Sequence, residues 1–454
     1  MCNLSVQELT VYNFRCFENK TFQFNARMNV FAGKNGSGKT ALLEAVNILL
    51  GAYLAAFKTY VPSRYVFNIS KDDARLKPQI ADDQSTLTAG GIRQYPCRVS
   101  CSMLWGKGDT SVQFQRILSK EAGRTKFDGA NPMQPTVVDW ERKIAQANHA
   151  DDKQVFPLVL YLSSARLWNE GRANSNEVGV YNRTDAYARC LDSKHGIELA
   201  FGYIQMLQSV AAEERDGKAF PAYTAILDAL NLALQDELKA NESAIFSTRY
   251  GMDIVALKTA KGTIVPFASL SDGYRNVIKI VLDIATRMCI LNPYLQGDAL
   301  KETPGVVVID ELDLSLHPTW QKRIVGILKS IFPRIQFICA THSPFIIQSL
   351  EEGELITLDT DDPNPVENYA GESIEDIAED IMGVHMPQYS EKKIEMYEAA
   401  KRYFKALDQC SSKEDIERLR QEMVALEAEY DDNPAYLALI RQKYVTKKLE
   451  VEHS

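Results

Sequence analysis

Three short apolar runs frame the chain: Met28–Ala32 (MNVFA), Gly305–Glu311 (GVVVIDE), which ends in two carboxylates, and Ile335–Ala340 (IQFICA). None alternates cleanly between apolar and polar residues, so each predicts a strand covered on both faces, as in a parallel sheet. Helical spacing follows the first run over residues 40–50 and recurs over 276–290. Alternation does occur over 95–104 and 111–118, which predicts a small antiparallel sheet. Strand signals at 254–258 and 263–266, joined by residues 259–262, predict a hairpin. Helical periodicity dominates 140–147, 197–211 and 223–239, and residues 123–135 are turn-rich.

Beyond residue 389 the chain is helical and highly charged. Ile416, Leu419, Met423, Leu426 and Tyr430 recur at alternating spacings of three and four, an apolar seam of about two heptads. So short a seam predicts a helical hairpin with residues 391–407, after which Asn433-Pro434 opens a final helix. The whole reads as an α/β protein, a mixed sheet flanked by helices with a mostly helical insertion and a C-terminal helical extension. Its expected divisions are 1–135 (an N-terminal lobe with the small antiparallel sheet), 136–252 (the insertion), 253–384 (a C-terminal lobe) and 385–454 (a helical docking region).

Composition narrows the class. With 454 residues, 45% hydrophobic and 24% charged, the chain supports a sizeable core. The most apolar segment, residues 41–57, is interrupted by Glu44, Asn47 and Gly51 and is too polar to span a bilayer. No basic-then-apolar leader is evident at residues 1–5. The eight cysteines are scattered, and Cys97 and Cys101 have no second pair to complete a zinc site, so reduced thiols and a cytoplasmic location are expected. A formal net charge of −9 argues against a broad nucleic-acid surface, and DNA contact is expected through a partner or a local groove of a complex.

The chemistry sits at the ends of the apolar runs. Gly33-Lys34-Asn35-Gly36-Ser37-Gly38-Lys39-Thr40 matches G-x-x-x-x-G-K-[ST] between a strand and a helix, the context that motif requires. Its backbone N–H groups at Asn35, Gly36, Ser37 and Gly38 are expected to face the phosphates of ATP. Lys39 would add a point charge and Thr40 a hydroxyl ligand for Mg²⁺. The second run ends in Asp310-Glu311, a magnesium-shell carboxylate followed by a candidate general base. The third ends in Thr341-His342-Ser343, where His342 is the candidate γ-phosphate sensor. Leu270-Ser271-Asp272-Gly273-Tyr274-Arg275 opens the helix 276–290, and Ser271 and Gly273 make a second anion site at its positive end.

In this order the four motifs resemble the ATP-binding-cassette ATPases, and within them the soluble SMC-like and RecF-like branch. The resemblance implies that Lys39, Thr40, Asp310, Glu311 and His342 act in cis, whereas Ser271 and Gly273 cap ATP bound to a second protomer of a head-to-tail dimer. Residues 11–17 (VYNFRCF) look like that branch's strand before the phosphate loop, with Arg15 placed to reach the nucleotide. Gln84 is a candidate for the glutamine loop. The signature LSDGYR, with YLSSARLW (161–168), YARCLD (187–192) and IDELDLSLHPTW (309–320), is similar to a narrower family, the stand-alone ATPases of Septu-type and retron-associated antiphage defence systems. That similarity implies an ATPase that controls a separate HNH-type nuclease, docked on the C-terminal helices, with no nuclease activity of its own. A DNA-repair ATPase of the RecF type and an ATP-dependent scaffold with little turnover are the alternatives.

Overall fold

The computed structural model describes residues 2–77, 91–107, 110–146, 153–167, 181–193, 197–213, 220–235, 242–246, 255–358, 369–409, 413–430 and 434–453. The chain divides into two compact units, Met1–Ile377 and Ala378–Ser454.

The three apolar runs form strands, two with the expected bounds and the acidic run only over Gly305–Ile309, short of its two carboxylates, and lie side by side in one parallel sheet. Its order is Leu355–Thr357, Met28–Ala32, Ile335–Ala340, Gly305–Ile309, Leu158–Leu162. Every residue of the three central strands is buried, which explains the absence of alternation. Leu158–Leu162 comes from the segment read as helical insertion and completes the sheet beside the acidic strand.

A second, antiparallel sheet carries the alternating segments. Its order is Phe17–Gln23, Cys2–Phe14, Cys97–Lys107, Ser111–Leu118, Lys126–Phe127. The strand expected over residues 11–17 is instead two strands: the chain reverses at Arg15, which adopts a left-handed φ of 49°, and Phe14 pairs with Phe17. The helix Lys39–Leu54 is apolar around its whole circumference because it packs between the two sheets. Gln336, on a central parallel strand, joins the sheets more directly. Its amide accepts from Val6 N and donates to Val6 O, both at 2.8 Å, at a bulge in the first strand, and so satisfies polar groups that would otherwise be buried unpaired.

The signature helix Asp272–Leu291 is buried from Asn276 to its end and packs against helices Glu198–Glu213 and Pro221–Leu234. The expected hairpin is present as Val255–Lys258 and Ile264–Pro266, with Ser243–Phe246 as a third strand. In the C-terminal unit, helices Glu391–Gln409, Lys413–Glu429 and Pro434–His453 share one core of Met396, Tyr403, Ile416, Leu419, Ile440 and Tyr444. Tyr403 donates to Leu419 O at 3.1 Å and Tyr436 to Met396 O at 3.0 Å, so the phenols bury their rings without orphaning their hydroxyls. Among the described residues no helix is long and apolar enough to cross a membrane.

Candidate functional site

All three chemistry-bearing strands run parallel, so their carboxyl ends, with Gly33–Thr40, Asp310-Glu311 and Thr341-His342, emerge on one edge of the sheet. The phosphate loop is held in a curl that needs glycine. Gly36 and Gly38 have φ of 84° and 103°, and a Cβ on Gly38 would lie 2.6 Å from the Phe17 ring and 2.7 Å from Cys16 Sγ. The turn between the first two strands therefore presses on the back of the loop. Lys39, 6% exposed, folds its ammonium over the loop to Gly33 O at 2.7 Å and Lys34 O at 2.9 Å.

Ser37 Oγ is buried with no hydrogen-bond partner among the described residues. An orphaned hydroxyl costs about 1–3 kcal/mol. With the left-handed glycines and the amino end of Lys39–Leu54, it fits a loop built to receive an anion of the phosphate class. The candidate magnesium donors also fit a hard cation, being the exposed Thr40 hydroxyl and the buried Asp310 carboxylate.

Glu311 has a left-handed φ of 48°, an outlier for a non-glycine residue and of a kind that clusters at functional sites. It breaks the strand directly after Asp310. His342 is exposed, yet partial burial and the nearby Lys39 charge hold its imidazole below the usual histidine pKa, with Asp313 and Glu311 pulling the other way. Lys39, Glu311 and Asp313 are thus the charges that act on the His342 ring.

Arg15 lies beside the phosphate-loop helix, but its guanidinium is engaged by Glu44 and by Asp73, the latter at 2.8 Å. Burial pushes the Glu44 carboxyl up, Arg15 opposes this, and the Asp73 and Asp310 charges add to it. Ser271 is the exposed N-cap of the signature helix, and its hydroxyl does not cap its own helix. Gly273 faces the loop after the acidic strand, where a Cβ would meet Ser315 O at 3.0 Å. Asn276 Nδ2 donates to Leu314 O at 2.7 Å, and Tyr274 meets Trp320 edge to face at 5.8 Å. Gln84 and Trp168 lie outside the described residues.

Three contributors escaped the sequence reading. Asp313 accepts from Thr341 Oγ1 and from His342 N, and Gln321 accepts from Ser343 Oγ at 2.6 Å. Ser163, 6% exposed, ends the strand beside Asp310, whose N–H donates to Leu162 O at 2.9 Å. The signal for Asp313 was the third acid in DELD. For Ser163 it was the VLYLSS step, an apolar run ending in hydroxyls. Arg183 donates to Leu291 O at 2.6 Å and lies 4.0 Å from the Phe156 ring centroid.

An AAA domain model matches residues 8–216, and a second AAA-domain model, described together with the AbiEii toxin of type IV toxin–antitoxin systems, matches residues 146–348. The Septu protein PtuA of Bacillus thuringiensis is 33% identical over 165 residues, covering 34% of this chain and 40% of that protein. The "Retron Ec83 probable ATPase" of Escherichia coli is 22% identical over 412 residues, 77% of this chain and 70% of that one. The DNA replication and repair protein RecF of Psychromonas ingrahamii is 45% identical over 69 residues, 15% of this chain and 18% of that one. Among solved structures, the SMC head domain from Thermotoga maritima aligns with a TM-score of 0.41 at 13% identity, covering 77% of this chain and 93% of that one. The chain thus spans well under two thirds of the Bacillus relative. Two overlapping AAA-domain models thus match stretches within residues 8–348, and the chain is similar over part of its length to Septu PtuA and to the retron ATPases.

Proposed function

We propose that this chain hydrolyses ATP with Mg²⁺ as a head-to-tail dimer and thereby governs a partner HNH-type nuclease in cytoplasmic antiphage defence. The observation that carries the reading is the gathering of Lys39, Asp310, Glu311 and His342 at the ends of adjacent parallel strands, above a loop with an orphaned buried hydroxyl. Lys39 and the loop amides bind and orient the phosphates. Thr40 and Asp310 would hold Mg²⁺, which when bound neutralises phosphate charge. Glu311 takes the proton of the attacking water, and the neutral ring of His342 hydrogen-bonds the transferred phosphoryl group.

Ser271 supports the dimer. An N-cap serine that leaves its own helix uncapped keeps its hydroxyl and the adjoining amides for a phosphate on another protomer. The C-terminal helices support docking, because Val424, Leu439, Val445 and Leu449 are each about half exposed there. Glu311→Gln is expected to retain ATP and accumulate a closed dimer, whereas Lys39→Ala loses nucleotide. Nucleotide titration and light scattering read both, and equal ATP affinity in the two variants would count heavily against the proposal. The RecF similarity favours a second reading, a DNA-repair ATPase. Salt-sensitive stimulation of hydrolysis by DNA, seen with the isolated chain, would select it.

A further inference from the structure

We infer that Asp313 is a positioning residue of the site, fixing His342 at the end of its strand through the backbone. The inference rests on the ATPase reading above. Thr341 Oγ1 donates to Asp313 Oδ1 at 2.5 Å and His342 N donates to the same oxygen at 3.1 Å. One carboxylate therefore holds both residues that follow the buried strand Ile335–Ala340. Thr341 is itself 1% exposed and accepts from Ser343 N at 3.0 Å, which closes a tight turn around His342. The other flank is pinned separately: Ser343 Oγ donates to Gln321 and accepts from Phe345 N at 3.1 Å.

The His342 ring makes no hydrogen bond among the described residues, so its placement depends on how its backbone is held. Asp313 and Gln321 both belong to the segment after Glu311, and Gln321 Nε2 donates to Leu316 O at 2.8 Å. The general base and the sensor are thus referenced to one loop. Displacing a catalytic group by about 1 Å costs about 100-fold in rate. A hydrogen bond to an ionised acceptor is short and strong enough to prevent that displacement.

The test compares Asp313→Ala, which removes the acceptor, with Asp313→Asn, which keeps an acceptor oxygen but removes the charge. Asp313→Ala is expected to lose about 100-fold in kcat while binding a fluorescent ATP analogue within about threefold of the wild type. Asp313→Asn should recover most of kcat. Because Lys39 lowers and Asp313 and Glu311 raise the pKa of His342, the acid limb of Asp313→Asn should move to lower pH. Amide exchange followed by mass spectrometry gives a readout independent of turnover: residues 341–343 should lose protection in Asp313→Ala and keep it in Asp313→Asn. Should Asp313→Ala not fold, Thr341→Val removes one of the two bonds and should lose part of kcat with ATP binding intact. Wild-type kcat in Asp313→Ala, equal loss in both Asp313 variants, or unchanged exchange at 341–343 would overturn the inference. A wild-type chain that does not hydrolyse ATP, with the exchange difference present, would overturn the ATPase reading and leave the positioning role standing.

Discussion

His342 shows how neighbouring charges set a residue's working range. Its ring is kept below the ordinary histidine pKa of about 6.5 by partial burial and by Lys39. It is therefore neutral at neutral pH, and gaining a proton would set a second cation beside the first. Its folded-state pKa lies below its unfolded value, so the stability linked to it is present above the unfolded pKa and is lost as pH falls through the folded one. The pH profile of kcat should accordingly stay level down to about 6.5 and fall only on the acid side. A fall beginning well above that value would show that the ring is not held neutral. His342→Gln should be slow at every pH. Glu311 shows the complementary device, a side chain aimed by backbone strain: its left-handed φ costs of order 1–3 kcal/mol and persists only because the strand behind it is wholly buried.

Among the elements, the signature helix is the one most committed to the core. It contains a charged pair where none would be expected: Arg287 and Asp283 are 1% and 3% exposed, with Nε to Oδ1 at 2.7 Å. The same guanidinium donates to the carbonyls of Ala186 and, at 3.2 Å, Ala188. Arg287→Met removes the charged partner of the buried Asp283 and should cost about 3–5 kcal/mol in urea unfolding. Asp283→Asn combined with Arg287→Met should cost less than the single arginine change.

Legibility in the sequence varied by element for physical reasons. Met28–Ala32 and Ile335–Ala340 were readable to the residue because full burial leaves an uninterrupted apolar run, and Gly305–Ile309 was readable except for its end, which was expected to run on to Glu311. Leu158–Leu162 is as buried, but it follows and precedes helical segments, and periodicity alone does not separate a short buried strand from a piece of helix. The reversal at Arg15 carried no glycine, proline or asparagine–glycine signal. The candidate residues at the strand ends could be named from the sequence because phosphate loops and paired acids have fixed spacing. Asp313 was not, because its role exists only once the strands bearing it and Thr341 lie side by side.

For the whole molecule, sites shared between protomers make a sharp prediction. Ser271→Arg and Lys39→Ala should each abolish hydrolysis alone. Mixed, they should regain about a quarter to a half of wild-type activity, because one composite pocket per mixed dimer is intact; strict absence of recovery would place the signature in cis. Mixing is read by phosphate release at constant total protein. The parallel sheet also carries a consequence for biosynthesis. Met28–Ala32 is synthesised long before its two neighbours, Ile335–Ala340 and Leu355–Thr357, and Val6 waits for Gln336. Closing loops of that length precedes any return in contacts. The nascent chain therefore cannot assemble a working nucleotide pocket until nearly the entire first unit has been translated, which keeps a half-made protomer from capturing ATP or a neighbour.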